Sequence, residues 1–391
     1  MRGPLSDIVV VELAHALAGP HAAMMLGDLG ARVIKVEHPI GGDESRRWGP
    51  PYVGPKAATE STYFLSCNRN KESITLDLAA ADDRGVFTRL ISEADVLVTN
   101  FRPGAMDRLG YDFQRLEEIN PRLVVLSITG FGHDGPESGR PGYDQIAQGE
   151  AGLMSVTGPG PDEPTKVGVP IADVLAGIYG AYGVVAALHE RERTGRGRVV
   201  RTSLLAAVIG AHAYLGTAWT VAGELHRGGG NHHPSIAPYG VFRCADGSLQ
   251  LAVGSDGLWR RFAPMVGVNP ADPRFGTNAD RVSNREVLIG IIEDAFAVRP
   301  SEHWLSKLAE VGVPAGTIRS LDRVYAWDQV LSQGLLIEAE HATLGWIKLP
   351  GPPLRFDHGP ARRHVAPPTL GQHNDSIRAW LASREPDQGG Q

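Results

Sequence analysis

Residues 7–37 read DIVVVELAHALAGPHAAMMLGDLGARVIKVE, and this stretch decides the fold. Asp7 to Leu13 is an apolar run bounded by turn signals, the pattern of a strand buried on both faces. A loop over Ala14 to Pro20 leads into a helix, with Pro20 in the first turn where proline is tolerated, and that helix closes at Gly30. RVIKVE, residues 32–37, follows as the next strand. Downstream, ESITLDL (72–78), DVLVTNF (95–101) and RLVVLSITGF (122–131) read as strands, and ADDRGVFTRLISEA (81–94) as a helix. This alternation predicts an α/β protein with a parallel, doubly wound, Rossmann-like sheet.

The pattern from Asp173 to about Arg193 is helical despite Gly177, Gly180 and Gly183, which leave room for a neighbouring helix or a ligand. Residues 195–215 give a strand and a second apolar helix, and the character changes after about Val221. The stretch GELHRGGGNHHPSIAPYG (223–240) reads as a long loop, and 239–254 as a hairpin turning at Asp246-Gly247. Helices near Leu258–Val266, Asn284–Phe296 and Glu302–Glu310 complete a smaller α/β region. We expect a large domain over 1–220, a small one over 221–329, and a strap over 330–391 that returns to the large domain. The last six residues, PDQGGQ, read as disordered.

The 391 residues are 42% hydrophobic and 21% charged, an ordinary globular balance. A net charge of −6 gives no general attraction to nucleic acid or an anionic membrane. Cys67 and Cys244, the two cysteines, form no C-x-x-C pair, which fits a reducing cytoplasm and neither a disulfide framework nor a zinc ribbon. No stretch is expected to reach the roughly 18 apolar residues of a membrane span.

The first β-α-β unit invites a dinucleotide reading, since Glu37 ends the second strand where a ribose-binding acid would sit. Its turn, AHALAGPH, lacks the G-x-G-x-x-G that lets backbone cradle a pyrophosphate, so a nicotinamide site is rejected. His232 and His233 are adjacent and lack a third ligand at helical spacing, so no metal site is expected. His15 and His133 are loop residues with no assigned chemistry, and no G-x-S-x-G elbow is present. Arg46, Arg47, Lys71, Arg102 and Arg108 follow or flank strand ends, where a doubly wound fold places its ligand crevice. Each is a candidate anion contact or a solvated surface charge. Asp173, the one acid in PTKVGVPIADVLAGIYG (164–180), is read as the cap of the helix that follows or as a chemical group.

Seven segments carry a resemblance along nearly the whole chain. They are AGPHAAMMLGDLGARVIKVE (18–37), CNRNKESITLDL (67–78), VLVTNFRPGAMDRLGYDF (96–113), LSITGFGHDGP (126–136), RPGYDQIAQGEAGLMSVTG (140–158), GVPIADVLAGIYGAYGVVAALHERERTGRG (168–197) and APPTLGQHND (366–375). The chain resembles the family III CoA-transferases, the CaiB/BaiF group. The resemblance implies an interlocked homodimer in which each chain has a large CoA-binding domain and a small one. It implies an acyl-CoA:carboxylate CoA-transferase whose nucleophile is Asp173, working through aspartyl-anhydride and aspartyl-CoA thioester intermediates. Adenine and phosphate contacts would fall on His38, Lys71, Asn100, Phe101 and Arg108. Pantetheine and the acyl group would reach Ala18, Tyr143, Asp144 and Asp173, under a mobile loop at Gly228, Gly229 and Gly230. Coenzyme A is then a substrate and no cofactor is permanently bound. The segment 152–173 is similar to transferases that use succinyl-CoA with dicarboxylic or branched acids. Leu17 departs from the glutamine of the formyl-CoA transferases, and Arg201 and Ala206 from acids common in relatives.

Two other readings remain. The α-methylacyl-CoA racemases share the fold and use a histidine where this chain has Tyr143, so one of their two bases is absent. A catalytically silent CoA-binding homologue is the other, and the presence of Asp173 argues against it.

Overall fold

The computed structural model describes residues 3–56, 58–357 and 363–384. The expected disorder of 386–391 concerns residues outside that set.

Strand β1 (Val9–Leu13), helix α1 (Ala18–Asp28) and strand β2 (Arg32–Glu37) form the first β-α-β unit. Strands β3 (Lys71–Thr75), β4 (Val96–Thr99), β5 (Val124–Thr129) and β6 (Val199–Ser203) complete one sheet in the order β3-β2-β1-β4-β5-β6. Every pairing in it is parallel. The order reverses between β1 and β4, so a crevice opens beyond their carboxyl ends, at Leu13 and Thr99. Helix α2 (Ala81–Glu93) covers one face. The other face carries α1, α3 (Asp144–Glu150), α4 (Ile171–Thr194) and α5 (Leu204–Gly210).

The three glycines of α4 are used up inside this chain. A Cβ at Gly177 would lie 3.0 Å from the Ala18 carbonyl oxygen, one at Gly180 2.9 Å from Leu126, and one at Gly183 2.6 Å from Val200. Small residues thus seat α4 directly on α1, β5 and β6. With 24 residues and a mean hydropathy of 1.7 over its apolar window, α4 is long and apolar enough to cross a membrane, contrary to the sequence expectation. Its small-residue face lies in the core cluster with Val10, Leu126 and Ile128, the packing of a buried core helix.

The chain divides into two compact units, Met1–Leu153 with Lys166–Leu225 and Asp328–Gln391, and Met154–Thr165 with His226–Trp327. The expected boundaries missed Met154–Thr165, which joins the second unit through backbone hydrogen bonds such as Gly228 N–H to Ser155 O (3.0 Å). That unit holds an antiparallel sheet of β7 (Tyr239–Cys244), β8 (Gly247–Ala252) and β9 (Ala315–Thr317), with β8 in the middle. Helices Asp256–Phe262, Arg285–Phe296 and Ser301–Glu310 pack Trp259, Phe262, Phe296 and Trp304 around Phe242.

The C-terminal segment of the first unit contains a hairpin, β10 (Leu336–His341) and β11 (Gly345–Pro350), that the reading of 330–391 as a strap did not anticipate. It then reaches β3, the edge of the large sheet. Ser73 N–H donates to His373 Nδ1 (3.1 Å) and Thr75 N–H to Asn374 Oδ1 (2.8 Å), while Gly371 N–H donates to Ser73 Oγ (2.9 Å). The GQHND motif therefore satisfies an edge that would otherwise present unpaired N–H groups. Ile377 and Leu381 of the last helix, Asn374–Ala382, bury beside α2. Asn374→Ala is expected to lower unfolding free energy by about 1–2 kcal/mol, read by urea denaturation, because it leaves a buried-edge N–H unpaired.

Candidate active site

The crevice is built first by the loop after β1. Ala16 holds a left-handed backbone (φ 64°), unusual for a residue with a Cβ, so its surroundings must enforce it. Asp43 Oδ1 accepts from Ala16 N–H (3.1 Å), and Lys35 Nζ donates to Ala14 O (2.9 Å). The fully buried Lys35 also pairs with Glu12 (2.6 Å) and Asp43 (2.8 Å). Burial alone would push the Lys35 ammonium down, yet Asp43 and Glu12 outweigh it and hold it above the usual lysine range. Asn100, one residue past β4, clasps the same loop: His15 N–H donates to its Oδ1 (2.9 Å) and its Nδ2 donates to His15 O (2.7 Å). The His15 ring stacks on Phe101 at 5.2 Å. Burial, then Lys35, lowers the His15 pKa, so the imidazole is neutral at pH 7.

A cavity of about 500 Å³ lies at this switch point, within the first unit. Of the residues expected from the sequence, Ala18, Asn100, Phe101, Tyr143, Asp144 and Asp173 line it together. His38, Lys71 and Arg108 do not. His38 is exposed past β2, with Nε2 4.0 Å from Asp77. Arg108 is an exposed residue of the turn after β4. Lys71, expected as an anion contact, is instead buried in β3, where Nζ pairs with Glu12 (2.7 Å) and donates to Asn68 Oδ1 (2.8 Å) and Pro20 O (2.9 Å). All three of its protons are committed. Arg46 is likewise locked bidentately onto Glu37 (2.7 Å), with Phe64 under its guanidinium. Arg47 is exposed. Gly228–Gly230 belong to the second unit, where Gly230 N–H donates to Gly158 O (2.8 Å).

Arg102, expected as a candidate anion contact, lines the cavity, and so does His15, to which the sequence assigned no chemistry; Trp48, Tyr63, Arg140 and Lys166, which sequence reasoning missed, line it as well. The position of His15 just beyond β1 was the available signal for its place in the crevice. Arg201 lines a neighbouring cavity of about 350 Å³ with His133 and Ser127, its guanidinium 5.2 Å from the Phe113 ring. Ala206 N–H donates to the capping Ser203 Oγ (3.0 Å). Among the described residues no group of His, Cys, Asp or Glu is placed to hold a metal ion.

Asp173 does not cap its helix. It is the third residue of α4, and the cap comes from a neighbouring helix: Asp144 Oδ1 accepts from the N–H groups of Ala172 (2.8 Å) and Asp173 (3.3 Å). The other oxygen of Asp144 accepts from Gln148 Nε2 (2.7 Å). Gln148 Oε1 in turn receives Val167 N–H (2.8 Å), which ties down the loop that enters α4. Among the described residues the Asp173 carboxylate itself accepts no hydrogen bond. Burial first, and the nearby Asp144 second, raise its pKa to about 7. These effects exceed the opposite pull of the helix N-terminus, which is worth about 1 kcal/mol. Tyr63 stands near it, its edge packed on Trp48 at 4.9 Å, and burial and then Asp173 keep the phenol protonated. The site therefore presents a lone, poorly solvated carboxylate between two helix starts, facing an open cavity.

The sequence profile described as CoA-transferase family III matches residues 5–374. The succinyl-CoA:glutarate CoA-transferase of Homo sapiens is 36% identical, over 96% of this chain and 85% of that protein. The acetyl-CoA:oxalate CoA-transferase of Acetobacter aceti is also 36% identical, over 98% of this chain and 97% of that protein. The crystal structure of a CaiB/BaiF family protein from Brucella suis superposes with a TM-score of 0.87 at 38% identity, covering 97% of this chain and all of that one.

The state of Asp173 gives a stability test. Its folded pKa of about 7 lies above the roughly 4 of an unfolded aspartate, so between those values only the folded chain keeps the proton. The contribution to stability is therefore full below about pH 4 and is lost as pH rises through 7. Asp173→Asn does not titrate, so its stability relative to the parent is expected to improve by about 1–3 kcal/mol between pH 4 and pH 8, read from denaturation curves at both values.

Proposed function

The chain belongs to CoA-transferase family III, and from that premise we propose that it moves coenzyme A between two carboxylic acids by covalent catalysis at Asp173. The observation that carries the reading is the carboxylate itself: half-buried, without a hydrogen bond among the described residues, raised to about 7 and turned to a cavity at the switch point. A desolvated carboxylate of raised basicity is a better nucleophile than one in water, and roughly half of it is ionised at pH 7.

Each step balances without an outside reagent. Asp173 attacks the acyl-CoA carbonyl, the C–S bond breaks, and a mixed anhydride and the CoA thiolate result. The thiolate attacks the aspartyl carbonyl of the anhydride and expels the donor acid as its carboxylate, leaving an aspartyl-CoA thioester. The acceptor carboxylate attacks that thioester, forming a second anhydride and releasing the thiolate again. The thiolate then attacks the acceptor's carbonyl, which yields the new acyl-CoA and returns Asp173 as a carboxylate. Backbone N–H groups beside the cavity are the donors available to the oxyanions, and exclusion of water protects the anhydrides. We assign that exclusion to the loop at Gly228, Gly229 and Gly230.

Asn100, Phe101 and the loop carrying Arg102 and Arg108 are assigned to the adenine and phosphates of CoA, with Ala18, Tyr143 and Asp144 along its thioester end. His38 keeps only a peripheral place at the adenine, and Lys71 acts from below by holding Glu12. The acceptor is a dicarboxylic acid, as in the named relatives, whose acids are glutarate and oxalate, and the donor is succinyl-CoA or another dicarboxylyl-CoA, as in the human one. Coenzyme A enters as substrate and leaves as product, and no other cofactor is needed. The working form is an interlocked homodimer in the cytoplasm. The exposed apolar side chains of Ile178, Tyr179, Tyr182 and Val185 on α4, with Tyr214 and Trp219 beyond it, support a covered face. The free thiols of Cys67 and Cys244 suit a reducing compartment.

Incubation with succinyl-CoA and hydroxylamine is expected to leave a hydroxamate on Asp173, located by peptide mass spectrometry, and to stop turnover. An unmodified Asp173 in an active enzyme would overturn the mechanism. Asp173→Ala is expected to lower transfer by at least about 10³-fold while CoA binding, followed by calorimetry, persists. The first half-reaction is expected to accelerate as pH rises through about 7, and Asp144→Asn, which keeps the capping oxygen and removes the charge, shifts that midpoint downward. The racemase alternative predicts wash-in of solvent deuterium at the α-carbon, and none is expected.

A further inference from the structure

A diacid carried through this cavity keeps one carboxylate away from the reacting carbon. That second charge enters a space already lined by Glu44, Asp144 and Asp173. It needs a cation there, because an unpaired carboxylate withdrawn from water is costly.

Four basic side chains line the cavity: His15, Arg102, Arg140 and Lys166. His15 is neutral at pH 7. Arg140 is engaged with Glu137 (3.0 Å) and Glu150 (2.8 Å), two carboxylates that already balance it. Arg102 stands next to Phe101, on the loop assigned above to the phosphates of CoA. Lys166 is left. It is exposed, and its ammonium meets only the carbonyl oxygens of Val167 (3.4 Å) and Gly168 (3.5 Å), both weak contacts. No carboxylate of the chain lies within ion-pair distance of it among the described residues.

Its placement suits a diacid. Lys166 begins the segment that runs through Val169 and Pro170 into α4, seven residues before Asp173, and that segment is pinned at Val167 by Gln148. Tyr143 and Val169, both exposed beside the cavity, offer an apolar strip for a short methylene chain. An acid with a carboxyl at each end and an apolar spacer matches a cavity whose wall holds a nucleophile, apolar side chains and an ammonium.

We propose that Lys166 is the specificity-determining residue of this site, pairing with the distal carboxylate of a dicarboxylic substrate while Asp173 engages the reacting end. This rests on the transferase reading given above. The discriminating quantity is the ratio of kcat/KM for glutarate to kcat/KM for pentanoate, acids of equal length, with one acyl-CoA donor. Lys166→Met is expected to lower that ratio by about 10- to 100-fold, the worth of one charge-assisted pair, and Lys166→Arg to retain most of it. A ratio unmoved by Lys166→Met, or a parent enzyme with no preference for the diacid, overturns the proposal. Hydroxylamine trapping on the same samples separates the two levels. Asp173 labelled with the ratio unmoved sinks the lysine alone, whereas Asp173 unlabelled in the parent sinks the transferase mechanism and this proposal with it.

Discussion

Two lysines buried under the first β-α-β unit carry the site. Lys35 spends its three protons on Glu12, Asp43 and the Ala14 carbonyl, and Lys71 spends its own on Glu12, Asn68 and the Pro20 carbonyl. Positive and negative charges are equal in number, and every ammonium proton has an acceptor, the condition under which buried ions are tolerated. Through Ala14, Ala16 and Pro20 this lattice grips both ends of the turn that opens the crevice. The positive φ at Ala16, the clasp of Asn100 on His15 and the start of α1 all depend on it. Removal of any one member would strand the others without water, a change worth about 3–5 kcal/mol.

Above that base, the work at the candidate site is divided between two aspartates, Asp144 as the first residue of α3 and Asp173 as the third of α4. Asp144 is consumed by structure, capping α4 and binding Gln148. Asp173 is thereby spared the cap and, among the described residues, its carboxylate accepts no hydrogen bond. The same Asp144 charge that frees it also raises its basicity. Had Asp173 served as its own cap, its lone pairs would be occupied by backbone N–H groups and its pKa drawn down instead of up.

The sheet was legible because its strands are short, continuous apolar runs separated by one long helical period, and each β-α-β link has only one favoured hand. RVIKVE maps onto β2 residue for residue. What failed were readings in which a charge was judged by its sequence neighbours alone. Lys71 follows Asn-Arg-Asn and looks solvated, yet its partner Glu12 lies in a strand two places across the sheet. Arg46 looks like a free cation after Gly-Gly-Asp and is bound to Glu37. Asp173 opens an apolar helix, the usual place for a cap, but the helix begins two residues earlier and borrows its cap from residue 144. The β10–β11 hairpin carries a strand-like alternation at Glu338, Ala339, Glu340 and His341 that the reading of 330–391 as a strap passed over. Partners on another element explain the misread charges.

The join between β3 and residues 371–374 sets the order in which this protein is made. The strand at 71–75 leaves a ribosome some 300 residues before the side chains that cover its edge. For that interval the sheet has an open border, able to pair with any passing strand. The border of the large sheet is closed only once residues 371–374 have been made and have reached it.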